Sequence, residues 1–131
     1  MSGSSTEYAA DLPAGTVALV ADDDDLVRDV AVDMCESLGF SVIAARNGRE
    51  ALTCLESHPE IALLFSDIRM PDLDGIALSR ETMKRRPDVK IVLVTGYSNQ
   101  VSPPPGISVL RKPYHLEDAQ ALFQSLLANR R

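Results

Sequence analysis

The chain has 131 residues, enough for one compact domain and too few for a second core of ordinary size. Its 45% hydrophobic content is that of a globular protein that needs neither a disulfide framework nor a structural metal to fold. With 13 basic and 19 acidic residues the net charge is -6, which argues against a phosphate backbone as main partner, so direct nucleic-acid binding is not expected.

Residues 1–14, dominated by Ser, Gly and Ala, read as a flexible tail with neither the basic start nor the apolar run of a signal peptide. Residues 15–131 then form the domain. Val17-Ala18-Leu19-Val20-Ala21 is a continuous apolar run, as expected of a strand covered by helices on both faces, and Asp22 follows its C-terminal end. Leu26, Val27, Val30, Ala31, Met34, Cys35 and Leu38 recur at helical spacing, predicting one core-facing stripe that Gly39 ends. A second strand over Ser41–Ala45 and a helix over Arg49–Ser57 follow, closed by His58-Pro59. Ile61–Phe65 is a third buried strand running on to Asp67. Ile76–Arg85 reads as helix, Lys90–Thr95 as the fourth strand and Ile107–Leu110 as the fifth. A terminal helix turns Leu116, Ala119, Leu122, Phe123, Leu126 and Leu127 inward, with Glu117 and Asp118 in its first turn, where the helix dipole favours acids.

Strands alternating with helices predict an α/β doubly wound parallel sheet with helices on both faces. Ligand sites in such sheets form beyond the C-terminal strand ends. Asp22, Asp23, Asp67, Thr95 and Lys112 all fall at such ends. The acidic run Asp22–Asp25, taken alone, is equally a solvated loop in which Asp25 caps the next helix. Three converging carboxylates instead repel one another unless a cation lies between them, and their hard oxygens suit Mg²⁺. Lys112 adds a fixed positive charge of the kind that stabilises a transferring phosphoryl group, and Asp67 is a nucleophile that needs no general base. Thr95 offers a hydroxyl to a phosphoryl oxygen, and Gly96 leaves the group room to approach.

Four motifs in order resemble the receiver domains of two-component response regulators, across residues 16 to 128: Asp22-Asp23, Asp67-Ile68-Arg69-Met70-Pro71 with Asp74-Gly75, Thr95-Gly96, and Lys112-Pro113. That resemblance implies a five-stranded flavodoxin-like sheet in the order 2-1-3-4-5. It implies that Asp67 is the phosphorylation site, that Asp23, Asp67 and the main-chain carbonyl of Arg69 bind Mg²⁺ with Asp22 helping through water, and that Lys112 holds the phosphoryl group. Lys112-Pro113 is often cis in the family, and Thr95 would be the switch hydroxyl. The implied partners are a histidine kinase or phosphotransfer protein and a downstream protein, with a homodimer open and no membrane contact. The expected role is that of a bacterial signalling switch rather than an enzyme acting on other substrates.

The sequence departs from the family at two places. Many members carry an aromatic three residues before the Lys, where this chain has Val109; Tyr97 is a candidate for a related role, including shielding the acyl phosphate from water. Pro103-Pro104-Pro105 within Ser98–Gly106 predicts that the helix between the fourth and fifth strands is short, irregular or missing. The sequence resembles a Thr-Gly-Tyr subset of receivers, some attached to sensor kinases. Because Arg131 follows closely on the last helix, output is expected through partners, whether the chain is free-standing or part of a hybrid kinase. A phosphorylation-independent pseudo-receiver is the alternative function. A Mg²⁺-dependent hydrolase is disfavoured by the lack of a second acid/base beside the nucleophile, and a nucleotide enzyme by the lack of a P-loop. Cys35 and Cys54, outside any Cys-x-x-Cys, are expected as free thiols, and no window reaches the ~20 apolar residues of a membrane span, so a cytoplasmic location is expected.

Overall fold

The computed structural model describes residues 15–96 and 103–128. In it β1 (Val17–Ala21) leads through α1 (Asp25–Ser37) to β2 (Ser41–Ala45), and α2 (Gly48–Ser57) leads on to β3 (Ile61–Asp67). After α3 (Gly75–Arg85) come β4 (Lys90–Thr95), β5 (Ser108–Arg111) and α4 (Leu116–Ala128). All strand pairs are parallel, and the sheet order is β2-β1-β3-β4-β5, as the family resemblance implied. The order reverses at β1 and β3, so the ends of those two central strands flank the crevice where a ligand site forms.

Strand alternation divides the core into two layers. Leu19, Ala21, Leu64, Ile91 and Leu93 pack beneath α2 and α3 through Ala51, Leu55 and Leu78. Ala18, Val20, Leu63, Phe65, Val92 and Val94 point the other way, beneath Ala31 and Cys35 of α1 and Ala119 and Phe123 of α4. Phe123 sits edge-on to both Phe40 and Phe65, with centroids 5.7 and 5.4 Å apart, which fixes α4 across the sheet. A largely buried Arg86 ties the far end of the sheet together by donating to the carbonyls of Leu55, His58, Pro59 and Ile61.

The expected stripe of α1 needs correction. Ala31, Cys35 and Leu38 are buried, yet Leu26 is 73% and Val30 62% exposed, and Val27 is exposed as well. Helix α1 begins four residues beyond the end of β1, so its first two turns stand beside the rim and only its second half lies over the strands. Leu116, expected inward, is likewise exposed at the first turn of α4. Between β4 and β5 no helix occurs among the described residues: Pro103–Gly106 leads into a turn in which the Ile107 N–H donates to the Pro104 carbonyl at 3.2 Å. Residues 98–102 of that segment, Tyr97 and the expected tail over residues 1–14 lie outside the described residues. Val109 packs, partly buried, against the α2/α3 layer of the core.

Candidate functional site

Asp22 leaves β1 as its N–H donates to the Ala45 carbonyl, which anchors the loop to β2. Its Oδ1 accepts from the Asp24 N–H at 2.9 Å, and Asp24 in turn caps α1 by accepting from the Val27 N–H. The helix cap is therefore Asp24 and not Asp25, because the turn that orients Asp22 ends one residue earlier. Asp67 closes β3, and its Oδ1 accepts from the Ile68 N–H at 3.0 Å.

The loop after Asp67 is held from below. The Gly75 N–H donates to the Ile68 carbonyl at 2.8 Å, and a Cβ at Gly75 would meet the Asp67 carbonyl oxygen and lie 2.8 Å from the Ile68 Cα. Only a residue without a side chain lets α3 start this close to the strand end. Arg69 stands within that loop, its main-chain N–H turned toward the Asp67 carboxylate. Thr95 ends β4 fully buried, and Lys112 follows β5 at the same rim, its N–H donating to the Thr95 carbonyl at 2.8 Å. The Lys112-Pro113 peptide bond is cis.

One carboxylate oxygen from each of Asp22, Asp23 and Asp67 lies within 4.8 Å of the other two. Burial pushes the Asp67 carboxyl above its ordinary range and Asp23 adds to the rise, while Lys112 and the loop N–H groups oppose it. Burial likewise raises Asp22, with Asp67 and Asp23 adding repulsion against the pull of the Asp24 N–H and Lys112. Three oxygen donors brought this close, with the Asp22 and Asp67 carboxyls raised in spite of Lys112, fit a hard divalent cation. All the side chains expected at the rim from the sequence are thus brought to one edge of the sheet. Arg28 is an addition: its guanidinium, 13% exposed, donates to the Asp22 carbonyl at 2.9 Å and to Asp25 at 2.6 Å. The legible signal was the spacing of Asp25 and Arg28, three apart on a helix, beside four consecutive acids that need a countercharge.

From this rim a groove of about 870 Å³ runs between α1 and α4, lined by Val27, Val30, Met34, Phe65, Tyr114 and Leu116 and ending at Asp22, Asp67 and Lys112. It is the uncovered counterpart of the exposed half of α1.

Residues 18–118 match the family described as the response regulator receiver domain. The chain is 39% identical over 114 residues to the response regulator receiver protein CpdR of Brucella abortus (strain 2308), spanning 83% of this chain and 94% of that protein. It is also 39% identical over 93 residues to the sensor kinase CckA of the same organism, spanning 70% of this chain but only 10% of the kinase. A CheY-like response regulator receiver domain protein from Methanospirillum hungatei JF-1 superposes with a TM-score of 0.79 at 28% identity, over 87% of this chain and 94% of that one.

Proposed function

The chain belongs to the response regulator receiver domain family, and from that premise we propose that Asp67 accepts a phosphoryl group from the phosphohistidine of a kinase or phosphotransfer protein. The observation that carries the reading is the convergence of Asp22, Asp23 and Asp67 within 4.8 Å at the rim to which Lys112 and Thr95 also belong.

In the proposed step an Asp67 carboxylate oxygen attacks phosphorus as the phosphorus–nitrogen bond breaks. The imidazole nitrogen keeps that electron pair and later takes up a proton, and Asp67 becomes an acyl phosphate. Lys112 donates to the phosphoryl oxygens, whose charge is spread in the transition state. Asp22, Asp23, Asp67 and the main-chain carbonyl of Arg69 are the groups that would hold Mg²⁺, which when bound supplies charge neutralisation between carboxylate and phosphoryl oxygens. The buried Thr95 hydroxyl, which donates to the Gly96 carbonyl at 3.2 Å, is the switch group: turning toward the phosphoryl oxygen breaks that bond and alters the surface next to Gly96.

The exposed Leu26, Val27, Val30 and Leu116 beside the groove support docking of a donor protein, whose apolar surface covers them while its phosphohistidine reaches Asp67. Similarity to both a receiver protein and a segment of a sensor kinase supports a part in a phosphorelay, in either setting. The chain acts as a switch that catalyses only its own Mg²⁺-dependent phosphorylation and dephosphorylation. Free thiols at Cys35 and Cys54 suit a reducing bacterial cytoplasm. No helix among the described residues is long and apolar enough to cross a membrane.

Intact mass after incubation with Mg²⁺ and a small phosphodonor tests this reading. One phosphoryl group is expected on wild type and none on Asp67→Asn. No gain on wild type would leave a phosphorylation-independent interaction module, and turnover of unrelated phosphoesters would make the chain a hydrolase.

A further inference from the structure

The acidic loop Asp22–Asp25 places four like charges in succession, yet the site needs its first two carboxylates held toward Asp67. Asp22 has three fixed contacts. Its N–H is bound to β2, its Oδ1 to the Asp24 N–H, and its carbonyl to the Arg28 Nη1. That last contact bears directly on Asp23, since the Asp22 carbonyl belongs to the peptide plane that joins the two residues. The Arg28 Nη2 meanwhile holds the Asp25 carboxylate at 2.6 Å, tying it back along the first turn of α1. Arg28 is itself a helix residue, so the clamp is built on a rigid element, and its side chain is 13% exposed where that of Asp25 is 86% exposed.

We infer that Arg28 is a positioning residue for the cation site: its fork fixes the Asp22–Asp23 peptide and ties back the Asp25 carboxylate, so that Asp22 and Asp23 present their carboxylates to one ion. This rests on the reading of the acidic cluster as a Mg²⁺ site. Two effects of Arg28 oppose each other, and their signs separate them. As a nearby positive charge, Arg28 repels a divalent cation, so removing it tightens binding if charge dominates. As a clamp it preorganises the ligands, so removing it weakens binding if order dominates. Groups that orient metal ligands alter affinity by roughly 10–100-fold, while a charge that is already paired with Asp25 is largely neutralised at the ion, so order is the larger effect.

The test is the Mg²⁺ dissociation constant of the full unphosphorylated chain, measured by titration calorimetry for wild type, Arg28→Ala, Arg28→Gln and Arg28→Lys, with circular dichroism establishing that each is folded. The expected result is a rise of about tenfold for Arg28→Ala, with partial recovery in Arg28→Lys, whose single ammonium carries the charge without the planar fork. Arg28→Gln, which keeps a single amide NH2 group as donor and loses the charge, should also fall between wild type and Arg28→Ala. An unchanged or lower dissociation constant in Arg28→Ala overturns the inference, and if that variant does not fold, wild-type affinity in both Arg28→Gln and Arg28→Lys overturns it. Absence of Mg²⁺ binding by wild type overturns the metal-site reading itself, and the inference with it.

Discussion

Replacing Asp67 by Asn should stabilise the protein in the absence of metal, although it removes the residue on which function is proposed to depend. The three carboxylates approach within 4.8 Å, and at that distance two unit charges repel by about 0.9 kcal/mol in water and about 3.5 kcal/mol at an effective dielectric near 20. Asp22 is buried, so its pair with Asp67 falls toward the higher figure, while the pair with exposed Asp23 is screened. Against this relief stands the lost attraction to Lys112, which exceeds the Asp23 repulsion, so the gain rests first on removing a charge that burial disfavours and then on the Asp22 pair. An Asn carbonyl oxygen can still accept from the Ile68 N–H, so no hydrogen bond need be lost. The net gain should be about 1–2 kcal/mol, or roughly 4–8 °C in melting temperature for a domain of this size. Denaturant unfolding of both proteins in EDTA measures it. Adding Mg²⁺ should then stabilise wild type more than Asp67→Asn, because only the native wild-type chain has the full ligand set. A variant less stable than wild type in EDTA, with an unchanged denaturant slope, would refute the argument that the buried and crowded Asp67 charge destabilises the metal-free fold.

The same stability difference should depend on pH. Because the folded Asp67 carboxyl is raised above 3.8, the native state holds more protons than the unfolded one between that value and its folded pKa, and metal-free wild type loses stability relative to Asp67→Asn as pH rises through that window. The difference should shrink below it, as urea titrations across mildly acidic pH would reveal. Gly75→Ala should destabilise the fold by about 1–3 kcal/mol, since its Cβ meets main-chain atoms of Asp67 and Ile68 that have no room to shift; thermal melts check this. Burial pushes the Cys35 thiol up to about 12, so a thiol reagent should label partly exposed Cys54 in the native protein and reach Cys35 only after unfolding.

Most of the sheet could be read from the sequence because strands buried on both faces leave unbroken apolar runs. The bounds of β1, β2 and β4 coincide with the runs that predict them, and those of β5 differ by one residue at each end. Strand order was legible only through resemblance, since periodicity carries no information about which strands are neighbours. The site residues could be read for a related reason: each chemically distinctive side chain follows a strand, and a parallel sheet brings all such ends to one edge. Periodicity failed at α1. A helical stripe reports which residues share a face, not whether anything covers it, and Leu26, Val27 and Val30 share a face with Ala31 yet extend past the sheet. Arg28 leaves only a weak trace in the sequence, its three-residue spacing from Asp25, because its other partner is a main-chain carbonyl, which carries no side-chain signal.

The most direct test of Asp67 as the phosphoryl acceptor is to phosphorylate the wild-type chain with a phosphohistidine donor in Mg²⁺, reduce the product with borohydride, and map the altered side chain by peptide mass spectrometry. An acyl phosphate is reduced to the alcohol while free carboxylates are left intact, so conversion at residue 67 alone is predicted. Conversion at another acid, or at none despite a competent donor, would contradict the account.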